Sequence, residues 1–202
     1  MILIEERLIA AGISQIAGVD EAGRGACAGP LVVAAVILKD PFAKHLAQVK
    51  DSKELTAKKR EQLFEIIKSE SSAFSIIEIT PTEIDQIGLH KSNLAGMRRA
   101  ITGLGIEPQY ILTDGYEIDG LASPSLAVWK GDQVAISISA ASILAKVHRD
   151  RIMQDLDLRF PGYGLAKHKG YVTKSHSLAL KELGVSEIHR RSYANIAALI
   201  NS

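Results

Sequence analysis

The stretch Gln15-Ile16-Ala17-Gly18-Val19-Asp20-Glu21-Ala22-Gly23-Arg24-Gly25, followed by Leu31-Val32-Val33-Ala34-Ala35-Val36-Ile37-Leu38, decides how the rest of the chain is read. Residues 15–19 and 31–38 are apolar, partly β-branched and bounded by Gly or Pro, so both read as strands. The element after the glycines matters most. Gly23 and Gly25 match part of the GxGxxG pattern of a dinucleotide-binding loop. That loop needs a helix next, whose N-terminus faces a pyrophosphate. Here a strand comes instead, and Asp20 with Glu21 would repel phosphate unless a metal ion sat between them. Two consecutive strands joined by this loop start a meander.

Further along, residues 72–79, 110–113 and 126–129 read as strands. Residues 56–68 read as a helix with Leu63, Phe64, Ile66 and Ile67 on one side. Thr80-Pro81-Thr82-Glu83 is a capping box with proline at the first helical position, so a helix begins there. Leu94, Met97, Ile101 and Leu104 form a helical stripe ending at Gly103 and Gly105. Residues 137–158 predict a long helix, in which Ala140, Ala141 and Ala145 allow close packing on a sheet. Beyond Pro161 the pattern is one of loops and short helices, including 175–183 and 192–200. Strands first, then strands alternating with helices, predict a mixed α/β sheet covered by helices, its later strands parallel.

The 202 residues suit one compact domain, with no internal repeat or linker. Net charge is only +1, so a nucleic-acid partner has to be met by local charge. The single cysteine, Cys27, excludes an internal disulfide framework and suits a reducing compartment. Residues 1–11 carry Glu5, Glu6 and Arg7, which is not the order of a secretion signal. No apolar run approaches the roughly 20 residues that span a bilayer. A cytoplasmic protein without membrane association is expected.

The chemistry is carried by acids beside glycines. Asp20 and Glu21 close one apolar strand, Asp114 closes another before Gly115, and Asp132 comes after the last strand and Lys130-Gly131. Any one of these Asp residues could serve only as a turn former. Taken together, they describe carboxylates converging at one sheet edge. Oxygen-only donors of this kind suit Mg²⁺ or Mn²⁺ and not zinc. Basic clusters lie around Lys50, Lys53, Lys58, Lys59 and Arg60, at Lys146 and Arg149, at Lys167, His168, Lys169 and Lys174, and at His189, Arg190 and Arg191. They read either as solvated faces or as contacts to a phosphate backbone. Tyr171 is either a packing residue or a ring stacked on a sugar or base. Cys27 reads as a buried thiol, with no visible base to make it a nucleophile.

The chain resembles the ribonuclease HII (type 2 ribonuclease H) family over nearly its whole length. The resemblance runs through Gly18-Val19-Asp20-Glu21-Ala22-Gly23-Arg24-Gly25, Asp51-Ser52-Lys53, Asp114-Gly115, Lys130-Gly131-Asp132, Ala140-Ala141-Ser142-Ile143, His168-Lys169-Gly170-Tyr171 and His189-Arg190-Arg191-Ser192. It implies a ribonuclease H-like mixed sheet flanked by helices, in a single catalytic domain whose residues from about 160 to 202 form a C-terminal helical extension. Asp20, Glu21, Asp114 and Asp132 are then the catalytic, metal-binding set. Gly23, Arg24, Gly25 and Tyr171 would read the junction where a ribonucleotide meets DNA, and Lys53 and Ser142 would contact phosphates. The implied substrates are RNA–DNA hybrid duplexes and DNA containing single ribonucleotides, cut to 3′-hydroxyl and 5′-phosphate ends by a monomeric enzyme using two divalent ions, Mn²⁺ or Mg²⁺. Asp20 is the expected bridging ligand. Because neighbouring strand residues face opposite sides, Glu21 is expected to act through its carbonyl or a water. Ala26-Cys27 and Tyr116 depart from the family pattern and are expected to be peripheral to the chemistry.

Overall fold

The computed structural model describes residues 4–201, so positions 1–3 of the N-terminal stretch and Ser202 lie outside the described residues. A five-stranded sheet is built from β1 (Ile16–Ala22), β2 (Leu31–Leu38), β3 (Ser71–Ile79), β4 (Tyr110–Asp114) and β5 (Ser125–Val128), in the order β3-β2-β1-β4-β5. β1, β2 and β3 pair antiparallel as the expected meander. β4 joins β1 in parallel and β5 joins β4 in parallel. The helices are α1 (Ile4–Ala10), α2 (Ala57–Glu70), α3 (Pro81–Ile87), α4 (Leu89–Thr102), α5 (Ile136–Arg159), α6 (Leu165–His168), α7 (Lys174–Leu183) and α8 (Ala194–Ile200). Among them α1 has no counterpart in the sequence reading.

β2 is buried along its whole length, which explains its continuous apolar run: a strand covered on both faces has no polar side to show. Its even-numbered residues, from Val32 to Leu38, pack against Leu63 and Ile67 of α2 and against α5. Its odd-numbered residues pack with Ile84 of α3 and Met97, Ala100 and Ile101 of α4. Thr80 caps α3 as expected, its Oγ1 accepting the N–H of Glu83 at 3.1 Å. A third core, holding Cys27, Met153, Tyr163, Leu180 and Ile196, joins the C-terminal helices to the loop after β1.

Two contacts fix α5 over the sheet. A Cβ at Gly18 would lie 2.1 Å from the Ser137 carbonyl carbon, so only glycine lets the helix cross β1 this closely. At the start of α5, Ala135 offers no side-chain cap. The buried Glu5 of α1 takes that role instead.

Candidate active site

Parallel pairing puts the C-terminal ends of β1, β4 and β5 at one edge of the sheet, and all four predicted acids stand there. β1 extends through Ala22, so Asp20 and Glu21 are in-strand residues and not a turn after it. Their side chains alternate as the pleat requires. Asp20 lies on the α5 side near Ser142, and Glu21 lies on the α4 side near Asn93. Asp114 is the last residue of β4. Its Oδ1 accepts the Gly131 N–H at 2.8 Å, tying β4 to the 3-10 turn Gly131–Gln133 that carries Asp132. Lys53 Nζ stands 3.9 Å from Asp132 Oδ2 and 4.0 Å from Asp51 Oδ1.

These acids are held where ionisation is costly. Burial, then the neighbouring Glu21 and Asp114, push the Asp20 carboxyl well above the usual carboxylate range. Burial also raises Glu21 to about 7, although the adjacent Asn93 amide draws it down. Asp132 is raised to about 6 by burial, with smaller contributions from Asp51 and Asp114. One acceptor, Glu21 Oε2, is buried with no hydrogen-bond partner among the described residues. A cation would satisfy this set, and its all-oxygen chemistry fits a hard divalent ion. Among the described residues, however, no three Asp, Glu, His or Cys side chains close on a common point. The acids border two adjoining clefts.

The predicted substrate residues gather beside the acids. A cleft of about 370 Å³ is lined by Asp20, Glu21, Asp114, Gly23, Arg24, Gly25, Lys53, Ser142 and Tyr171. Ser142 Oγ shares a 2.8 Å hydrogen bond with Ser52 Oγ. Arg24 lies over the Tyr116 ring, 5.3 Å from its centroid. Tyr116 therefore borders the site and is not peripheral to it. Tyr171 is exposed, with Arg149 5.6 Å from its ring centroid. A Cβ on Gly25 would stand 3.7 Å from the Tyr171 ring, an ordinary contact. Gly23 is different. Its φ is +89° and a Cβ would lie 1.9 Å from Arg149 Nε, so the backbone conformation and the buried arginine both require glycine.

Part of the basic surface read from the sequence is interior. Arg149 and Arg190 are fully buried. Arg149 donates to the carbonyls of Pro30, Ala28 and Lys169. Arg190 donates to those of Gly29 and Arg24. Arg149 thus ties the segment after the glycine loop to the one carrying Tyr171, Arg190 ties the loop to the C-terminal segment, and both are too buried to meet a phosphate. Arg60 likewise donates to the Ser52 and Leu55 carbonyls. His189 is buried against His176, 3.2 Å between their Nε2 atoms, and burial with that neighbour lowers it to about 4. Cys27 is wholly buried and burial pushes its thiol up, as the inert reading requires.

Asn93 and Glu5 escaped the sequence reading. Asn93 did leave a signal: it is polar yet stands four residues before Met97, on the apolar stripe of α4.

Residues 17–196 match the family model described as Ribonuclease HII. The chain belongs to the ribonuclease HII family. It is 53% identical over 196 residues to a ribonuclease HII of Salinispora tropica, covering 97% of this chain and 73% of that one. Among solved structures, the ribonuclease H2 of Pyrococcus horikoshii OT3 superposes with a TM-score of 0.80 at 30% identity, covering 93% of this chain and 97% of that one. Bst-RNase HIII in complex with Mn²⁺ shares the fold, with a TM-score of 0.72 at 19% identity over 93% of this chain and 69% of that one. As a member of this family, the protein is a hydrolase that cleaves the RNA of RNA–DNA hybrids and ribonucleotides embedded in DNA. No helix among its described residues is long and apolar enough to cross a membrane.

Proposed function

We propose that Asp20, Glu21, Asp114 and Asp132 hold two divalent ions, Mg²⁺ or Mn²⁺, and that Gly23, Arg24, Gly25 and Tyr171 select the junction between a ribonucleotide and the DNA after it. The observation that carries this reading is the shared cleft, in which three of the acids stand beside the glycine loop and the Tyr171 ring. When bound, such ions lower the pKa of an attacking water and stabilise the departing 3′ oxygen.

The chain's own residues do the rest. Asp20 is the central acid, and from its buried place beside Glu21 and Asp114 it would hold the ions together with them. Gly25 leaves room at the Tyr171 ring for a sugar to approach the backbone. The 2′-hydroxyl is what distinguishes RNA from DNA at such a point. Tyr171, backed by Arg149 on one face, turns the other to the neighbouring deoxyribose. Lys53 and Ser142 face the phosphate. The whole chain works as one catalytic domain, its C-terminal helices holding the Tyr171 segment, and as a monomer in the cytoplasm.

The test is a DNA duplex holding one ribonucleotide, incubated with Mn²⁺ beside an all-DNA control. Cleavage on the 5′ side of the ribonucleotide, leaving 3′-hydroxyl and 5′-phosphate ends, is expected. Cutting of the control, or of long RNA tracts only, would overturn the junction reading.

A further inference from the structure

Trp129 is the chain's only tryptophan and is 82% exposed. A large ring left in water is uncommon on a soluble protein, where tryptophan is usually well buried. It is also held in place. The next residue, Lys130, adopts a left-handed conformation with φ 53°. Its carbonyl accepts the Gln133 N–H at 3.0 Å. Gly131 is pinned by Asp114 on one side and has no room for a Cβ against Ile138, 2.4 Å away, on the other. The indole thus projects from a fixed turn and not from a loose loop.

It borders a cleft of about 430 Å³ with Glu21, Lys53, Asp114, Tyr116 and Asp132. The cleft lined by Tyr171 shares Glu21, Lys53 and Asp114 with it, but Trp129 lines only the first and Tyr171 only the second. The two aromatic rings thus border adjoining clefts that share two of the carboxylates. Lys130 beside the indole adds a charge suited to phosphate.

We propose that Trp129 is a nucleic-acid contact that packs on the DNA segment 5′ of the cut, while Tyr171 engages the 3′ side. This inference rests on the junction reading, which assigns Tyr171 its side. A strand crossing the carboxylates from Tyr171 meets Trp129 next. Aromatic contact with a sugar or base face is tolerant of sequence, as an enzyme acting at any ribonucleotide requires.

The single indole makes the test direct. Its emission is recorded while a short duplex with one ribonucleotide is titrated in Ca²⁺, with binding measured in parallel by anisotropy of a label on the DNA. Emission is expected to shift to shorter wavelength, or to be quenched, with the same midpoint as the anisotropy. Removing DNA 5′ of the ribonucleotide should abolish the change, and removing DNA 3′ of it should not. Trp129→Ala should raise Kd about tenfold, equivalent to about 1.4 kcal/mol, and Trp129→Phe should recover most of that. Normal anisotropy with unchanged emission would overturn the proposal and leave the junction reading intact. An emission change lost on shortening the 3′ side would also overturn it. Absence of both binding and Mn²⁺-dependent cleavage would defeat the junction reading, and the proposal with it.

Discussion

Glu5 Oε1 accepts two hydrogen bonds from Ser137, the backbone N–H at 2.9 Å and the hydroxyl at 2.7 Å, across 132 residues of sequence. Helix α5 lacks a local cap, so a carboxylate from α1 satisfies its first turn and complements the positive end of the helix. Glu5→Ala should destabilise the protein by about 2 kcal/mol, lowering Tm by roughly 4–8 °C for a chain of this size. Glu5→Gln keeps an acceptor and should lose less than half of that. Thermal melts of the three proteins decide it, and an unchanged Tm in Glu5→Ala would remove α1 from the support of α5.

Asp20→Asn, Asp114→Asn and Asp132→Asn should each reduce cleavage more than a hundredfold while leaving hybrid binding within a fewfold. Changes even to groups that only orient metal ligands cost about 10–100-fold, and a ligand should cost more. Cleavage assays in Mg²⁺ with a parallel binding measurement check this. Near-normal turnover by Asp20→Asn would remove it from the metal site.

Gly23 and Gly25 should separate fold from function. Gly23→Ala forces a side chain into a positive-φ position already filled by Arg149, which three carbonyls hold in place. A loss of about 3 kcal/mol or more, or failure to fold, is expected. Gly25→Ala meets only an ordinary contact, so its Tm should stay within about 2 °C of wild type. Its cleavage at a single ribonucleotide should nevertheless fall, because the methyl group occupies the approach of the sugar.

Tyr171→Ala should lower cleavage at a single ribonucleotide by roughly 10-fold or more, and Tyr171→Phe should keep most of it, since the ring and not the hydroxyl makes a contact worth about 1–3 kcal/mol. Equal losses in the two variants would assign the role to the hydroxyl.

Without metal, stability should depend on pH in a defined direction. Asp20 and Glu21 have folded-state pKa values raised above the unfolded ones. A raised carboxylate loses native stability as pH climbs from the unfolded value through the folded one. Lowering the pH from about 8 to about 6.5 should therefore raise Tm in EDTA, as these groups take up protons. Below that, His189, lowered to about 4, and His176, also lowered, act in the opposite sense: stability falls as they are forced to charge, and the curve flattens. Millimolar Mn²⁺ should raise Tm most at the alkaline end by binding the folded cluster. Asp114→Asn removes a charge that raises both Asp20 and Glu21, so in EDTA at pH 8 it should melt higher than wild type and gain less from metal. A lower Tm for that variant, with an unchanged metal response, would make Asp114 structural.

The sheet, most helices and the four acids are legible in the chain because they are written in local patterns. The unbroken apolar run Leu31–Leu38, bounded by Gly and Pro, reads as a strand, and Thr80-Pro81-Thr82-Glu83 carries its own helix start. Acids closing apolar strands beside glycine stand out for the same reason. Which basic residues are available to a substrate is settled only when the chain closes on itself. Arg149 and Arg190 look in sequence like the exposed Arg191, yet both lie at 0% exposure on backbone carbonyls. A charge pattern records that a guanidinium is present and not whether carbonyls from distant loops surround it. The same holds for Glu5, hydrogen-bonded to Ser137, and for Asn93, which stands near Glu21: both neighbours are far away in the chain. Strand and helix periodicities are set by neighbouring residues, whereas caps, clamps and cleft walls are set by segments that meet only when the core closes.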